Sequence, residues 1–114
     1  MKLDKLPLFF DYYGDLLTEK QRTCFDLHYN QDLSLGEIAE EEGISRQGVH
    51  DSLARAENAL RTMEEKVGAA ARGLVCREAA EKIQLAAQKL SQSKDPQVAE
   101  LAQEILTAAA AIKE

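Results

Sequence analysis

The chain has 114 residues, 45% of them apolar and 5% aromatic, with no Trp and a formal net charge of −6. That length suits one small domain, or a small domain with a helical extension, and its modest core would gain stability from partner helices or a second copy. No run of about 18 apolar residues occurs, which argues against a membrane-spanning helix, and Cys24 and Cys76 lie far apart in no metal-binding spacing.

The opening MKLDKLPLFF carries Asp4 and lacks a small-residue cleavage site, so it does not read as a secretory signal. With two separated cysteines, a reducing cytoplasmic setting is expected. The acidity is uneven. Residues 1–67 hold eight Lys/Arg against fourteen Asp/Glu, while residues 68–114 hold six of each. All the net charge therefore lies in the first part of the chain.

Leu6, Phe9, Phe10 and Tyr13 share one face of a first helix, which Gly14-Asp15 can end. Thr18-Glu19-Lys20-Gln21 fits a capping box: the Thr18 hydroxyl accepts from a helical amide while Gln21 reaches back to the cap. That second helix runs to about Tyr29, with Cys24, Phe25 and His28 or Tyr29 inward. Asn30-Gln31-Asp32 is a polar link. Ser34-Leu35-Gly36-Glu37 is a second capping box and opens a short helix to about Glu42. Gly43 supplies the left-handed turn, and Ser45 caps a longer helix. Its apolar positions Val49, Leu53, Ala56, Leu60, Met63 and Val67 repeat every three or four residues. Between Gly68 and Gly73 the pattern loses phase, so a break is expected there. It resumes as Cys76, Ala79, Ile83, Ala86 and Leu90. After a loop at Ser91–Lys94, Asp95 caps a last helix with Pro96 at its first position. The stripe there is Val98, Leu101, Ile105, Ala108 and Ile112. Two matching stripes joined by a short loop predict an antiparallel hairpin.

The informative segment is LSLGEIAEEEGISRQGVHDSL, Leu33 to Leu53. A helix-turn-helix requires a small residue where two helices cross, a glycine at the turn and apolar residues in the wedge between them. Ala39, Gly43, Ile44 and Val49 supply these in order. Together with LTEKQR at Leu17–Arg22, the segment resembles region 4 of sigma factors. More closely, it resembles the YlxM-like family of helix-turn-helix proteins associated with the signal recognition particle, whose opening pattern is similar to KLPLFFDYYGDLLTEKQR. The resemblance covers about residues 5–67. It implies a cytoplasmic bacterial protein with a regulatory or accessory role in that pathway and no catalytic residues.

In a helix-turn-helix the start of the second helix meets the groove. Here that face offers Ser45, Arg46, Gln47 and His50 as candidate nucleic-acid contacts, with Gly48 and Asp51 beside them. Arg and Gln suit bidentate base contacts, and Ser45 and His50 can donate to phosphate. The bland alternative is a solvated helix end that Ser45 merely caps. Asp51 and Glu40-Glu41-Glu42 would repel phosphates, which is awkward for a duplex binder whose affinity rests on neutralised phosphates. No enzymatic motif, cofactor or metal site is expected: His28 and His50 lie on different helices, and no Gly-rich phosphate loop occurs.

The expectation is an all-α protein, with a sigma-region-4-like helix-turn-helix domain at 1–67 and a C-terminal helical hairpin at 68–114. The leading function is a non-catalytic regulator contacting RNA or DNA. The alternatives are an acidic adaptor binding a targeting GTPase, and a DNA-binding transcription factor. A homodimer through the Val49–Val67 seam and the hairpin is expected as well, because the three stripes carry more apolar surface than one hairpin folding on itself needs.

Overall fold

The computed structural model describes residues 4–112. The fold is all-α. Among the described residues there are six α-helices and no strand: α1 Leu6–Tyr13, α2 Glu19–Phe25, α3 Leu35–Glu42, α4 Arg46–Val67, α5 Ala69–Leu90 and α6 Pro96–Ile112. The chain divides into two compact units, Met1–Ala70 and Ala71–Glu114.

In the first unit, side chains set the helix boundaries. Both capping boxes form: Thr18 Oγ1 accepts from Gln21 N (3.2 Å) and Gln21 Oε1 from Thr18 N (3.2 Å). Ser34 Oγ accepts from Glu37 N (3.1 Å) and Glu37 Oε1 from Ser34 N (2.9 Å). These bonds satisfy amides that a helix start leaves without carbonyl partners. The backbone amide of Ser34 also holds the Glu37 carboxyl below its ordinary range. Gly14 does not stop the first helix by a left-handed turn. It is buried at φ −55°, and the chain tightens into a 3-10 turn, Gly14–Leu16.

α2 continues into a π-helical turn, Asp26–Asn30, closed by Gln31 N donating to Asp26 O (3.2 Å). The Asp26 carboxylate accepts from Asn30 Nδ2 (2.8 Å) and Gln31 Nε2 (3.1 Å). Leu27, three residues past buried Cys24, is buried, and His28 and Tyr29 are half-buried. His28 Nδ1 donates to the Leu33 carbonyl (2.9 Å), and Asp32 adopts φ 58° in the link.

The core lies where α1, α2 and α3 meet α4. Phe25, Ile38, Val49, Ala56 and Leu60 are wholly enclosed. Burying such a Val, Leu, Ile or Phe side chain stabilises by about 1.5–3 kcal/mol. Phe10, Phe25 and Tyr29 stack with centroids 4.6 and 4.3 Å apart. The apolar repeat of α4 stays inward as far as half-buried Met63, but Val67 is exposed. Gly68, at φ 66°, ends α4. Across that break, Tyr13 Oη donates to Glu64 Oε1 (2.6 Å) and accepts from Ala69 N (3.0 Å), while Glu64 Oε1 accepts from Ala70 N (3.0 Å). Tyr29 Oη donates to Glu57 Oε2 (2.7 Å).

The second unit corrects the expected hairpin seam. Its buried side chains are Ala80 and Ala87 of α5 and Ala102 and Ala109 of α6. The two pairs sit at equal chain distances from the turn, as antiparallel neighbours must. Cys76, Ala79, Ile83, Ala86 and Leu90 are exposed instead, as are Leu101, Ile105, Ala108 and Ile112, with Val98 half-buried. The reason is steric: alanines let two backbones approach closely, and larger side chains are turned out of the gap. In the loop, Ser91 Oγ donates to Gln88 O (2.6 Å), and Asp95 Oδ1 caps α6 through Gln97 N (2.9 Å).

Gly43 has φ 69°, and a Cβ built there would meet nothing within 4 Å. The cost of a side chain is thus backbone strain alone, about 1 kcal/mol and more for a β-branched residue. Gly43→Val is expected to lower the Tm by at least about 4 °C, with Gly43→Asn much milder; equal melting of parent and Val variant would refute this.

Burial, reinforced by the glutamate partners, raises the Tyr13 and Tyr29 phenols above the ordinary 10.0. The folded chain therefore resists their ionisation. That contribution is complete below the unfolded value and is lost as pH rises through the folded values. Stability should fall above about pH 10, and more steeply than in a Tyr13→Phe/Tyr29→Phe variant. Matching slopes in alkaline denaturation monitored by circular dichroism would contradict it.

Candidate nucleic-acid interface

The candidate surface is the first turn of α4, and its position follows from the turn before it. Ile38 is wholly buried, and Ala39 is half-buried against the core. Gly43 N donates back to Ala39 O, and so does Ile44 N (3.1 Å). This paired closure with a left-handed glycine reverses the chain sharply. Ile44 packs half-buried against the core, and Val49 is fully enclosed. Ala39, Gly43, Ile44 and Val49 thus hold α3 and α4 in their crossing, with Gly43 itself at the exposed corner.

Ser45, Arg46, Gln47 and His50 are all exposed on the start of α4. Ser45 Oγ accepts from Gly48 N (2.9 Å), so its hydroxyl oxygen is the helix cap, and its proton is the part left for a partner. Arg46 projects from the first helical position, and among the described residues it makes no ion pair. Gln47 Nε2 donates to Asp51 Oδ1 (3.0 Å), and the same oxygen lies 3.6 Å from His50 Nδ1. Asp51 therefore gathers two of the four candidates onto one carboxylate. From the sequence Asp51 reads only as a repelling charge; on a helix face a Gln and an Asp four apart are also neighbours. Arg55, exposed one turn beyond Asp51, is the next cation along α4.

The opposing electrostatics sit on α3. Glu40, Glu41 and Glu42 are exposed in its last turn, which carries no basic residue. A helix C-terminus favours cations, so this placement does not serve the helix. Nearby, burial pushes the Cys24 thiol up, which keeps it protonated and unreactive. Among the described residues no three His, Cys, Asp or Glu side chains converge as metal ligands, and no helix is long and apolar enough to cross a membrane.

Comparison with known proteins agrees with this architecture. A UPF0122 protein of Thermoanaerobacter sp. (strain X514) is 42% identical over 101 residues, covering 88% of this chain and 86% of that protein. A UPF0122 protein of Desulforamulus reducens is 56% identical over 64 residues, 56% of this chain and 55% of its own length. One from Listeria innocua is 46% identical over 67 residues, covering 59% of this chain and 61% of that protein. Against the Desulforamulus and Listeria proteins the match thus spans little more than half of their length. The family pattern itself matches residues 1–105, and the chain belongs to the UPF0122 family of helix-turn-helix proteins, YlxM / p13 like.

Proposed function

We propose that this chain is a non-catalytic regulatory or accessory protein that contacts RNA or DNA through the first turn of α4. The observation that carries this is the division of labour on that helix. Val49 and Leu53 are spent on the core, while Arg46, Gln47 and His50 project outward from the turn of a helix-turn-helix. A guanidinium and an amide there have the donor geometry for phosphates and base edges. The resemblance to signal-recognition-particle-associated proteins supports a place in that pathway, with the particle's RNA as the first target to test, and a cytoplasmic location.

One observation favours a second reading, an adaptor for a basic protein surface such as that of a targeting GTPase. The three glutamates ending α3 work against the helix dipole and are exposed. Their placement is explained by a cationic partner.

The test measures binding to particle RNA, to random DNA and to the targeting GTPase across a salt series. Under the leading proposal Arg46→Ala weakens nucleic-acid binding without lowering the Tm, and its effect shrinks as salt rises. Gln47→Ala weakens binding with little salt dependence. Glu41→Gln with Glu42→Gln strengthens it. The adaptor reverses the pattern: the glutamate changes weaken binding to the GTPase, and Arg46 matters little. Nucleic-acid affinities that Arg46→Ala leaves unchanged would end the proposal of contact through this turn.

A further inference from the structure

The hairpin of α5 and α6 closes on four methyl groups and leaves its large apolar side chains outside. Ile83, Leu90, Leu101, Ile105 and Ile112 are each between 39% and 54% exposed. Their arrangement is regular. Ile83, Leu90, Ile105 and Ile112 each follow a buried alanine by three residues. Two antiparallel helices are related by a local two-fold perpendicular to their common plane, so equal offsets from the seam fall on the same side. The four side chains, with Leu101 beside them, therefore form one apolar face of the hairpin.

We propose that this face is covered by a second copy of the chain, so that two hairpins close into an antiparallel four-helix bundle. The edges of the face select that occupant. Lys82 and Lys89, each two residues past a buried alanine, stand on the outer side of α5, with Glu78, two residues before Ala80, farther from the loop. Glu100 and Glu104, two residues either side of Ala102, stand on the outer side of α6. In the two-fold arrangement that keeps every neighbouring helix antiparallel, α5 of one copy lies across from α6 of the other. The basic edge then meets the acidic edge, twice. The register agrees: Ala87 lies level with Ala102, which brings Lys89 level with Glu100 of the second copy and Glu104 between Lys82 and Lys89. Residues 71–114 hold six acidic and six basic side chains, so no net charge opposes the pairing.

The size fits as well. A 17-residue α6 is about 25 Å long, and two helices side by side are ~20 Å wide. The face thus has a footprint on the order of 500 Å2, which interdigitating side chains enlarge toward the ~800 Å2 per partner of a standard interface. A seam of methyl groups alone holds a hairpin weakly, and a second apolar face gives α5 and α6 the core that one copy lacks.

Sedimentation of the full chain tests this. At tens of micromolar, in the range of ordinary homodimer affinities, the chain is expected to run at twice its 12.6 kDa mass. Ile105→Lys is expected to run as a monomer, its dimer affinity reduced by about 100-fold or more, with circular dichroism showing whether the helices persist. Should helicity fall in that variant, the charge-reversal set decides. Lys89→Glu and Glu100→Lys each weaken the dimer several-fold, and the two together restore it. A monomeric parent, assembly beyond the dimer, a folded Ile105→Lys that remains dimeric, or charge reversals that fail to compensate would each overturn the proposal.

Discussion

The helix-turn-helix unit depends on one stripe of α4. Val49, Leu53, Ala56 and Leu60 are each at most 5% exposed, and α1, α2 and α3 all pack on this helix. A small residue at Ala56 and larger ones around it make a corrugated surface into which Phe25 and Ile38 fit. Interiors packed to this density tolerate little change of volume. The orientation of α4 is thereby fixed along half its length, and with it the direction in which its first turn projects.

The consequence for the candidate interface is a separation of roles along a single helix. Two faces of one rigid rod cannot move independently, so the core residues position the outward side chains. The surface chemistry that results is mixed. Arg46 makes no ion pair among the described residues, while Asp51 holds Gln47 and lies close to His50. The bond to Asp51 uses one of the two Gln47 amide hydrogens, so its second hydrogen and its carbonyl oxygen stay open to a partner, in an orientation the carboxylate holds. An amide held in one orientation favours a partner whose acceptors match it, which adds selectivity more than affinity.

Much of the first unit was legible because its signals are local. Thr18 with Gln21, Ser34 with Glu37, and glycine after a short helix each announce a boundary within four residues. The resemblance of Leu17–Arg22 and Leu33–Val49 to known helix-turn-helix proteins pointed to the same fold. The π turn at Asp26 was not legible, because nothing in DLHYN breaks a helical pattern; the Asp26 carboxylate accepts from two side-chain amides across that turn. The hairpin misled for a different reason. Size and apolarity pick out Ile83, Leu90, Ile105 and Ile112 as the obvious seam, whereas the seam within one chain goes to the residues that let the backbones approach most closely. At the candidate site, the exposed positions could be read from helical phase. The bond from Gln47 to Asp51 needed the side-chain geometry.

The cap of α5 carries a consequence for the order in which the chain takes shape. A helix start leaves its first amides without carbonyl partners. For α5 those of Ala69 and Ala70 are met by Tyr13 and Glu64. Tyr13 is 56 residues away in sequence from the amide it receives. Glu64 is near at hand, but the phenol reaches Ala69 only after α1 has settled against α4. The beginning of the fifth helix is thus clamped by the first, and a chain emerging from its N-terminus would carry that clamp in waiting until Gly68 and Ala69 had been made. A long-range tether of this kind slows nucleation locally yet ties the start of α5 to the integrity of the helix-turn-helix unit. Loosening α1 would fray a helix that begins 56 residues after the tyrosine that clamps it.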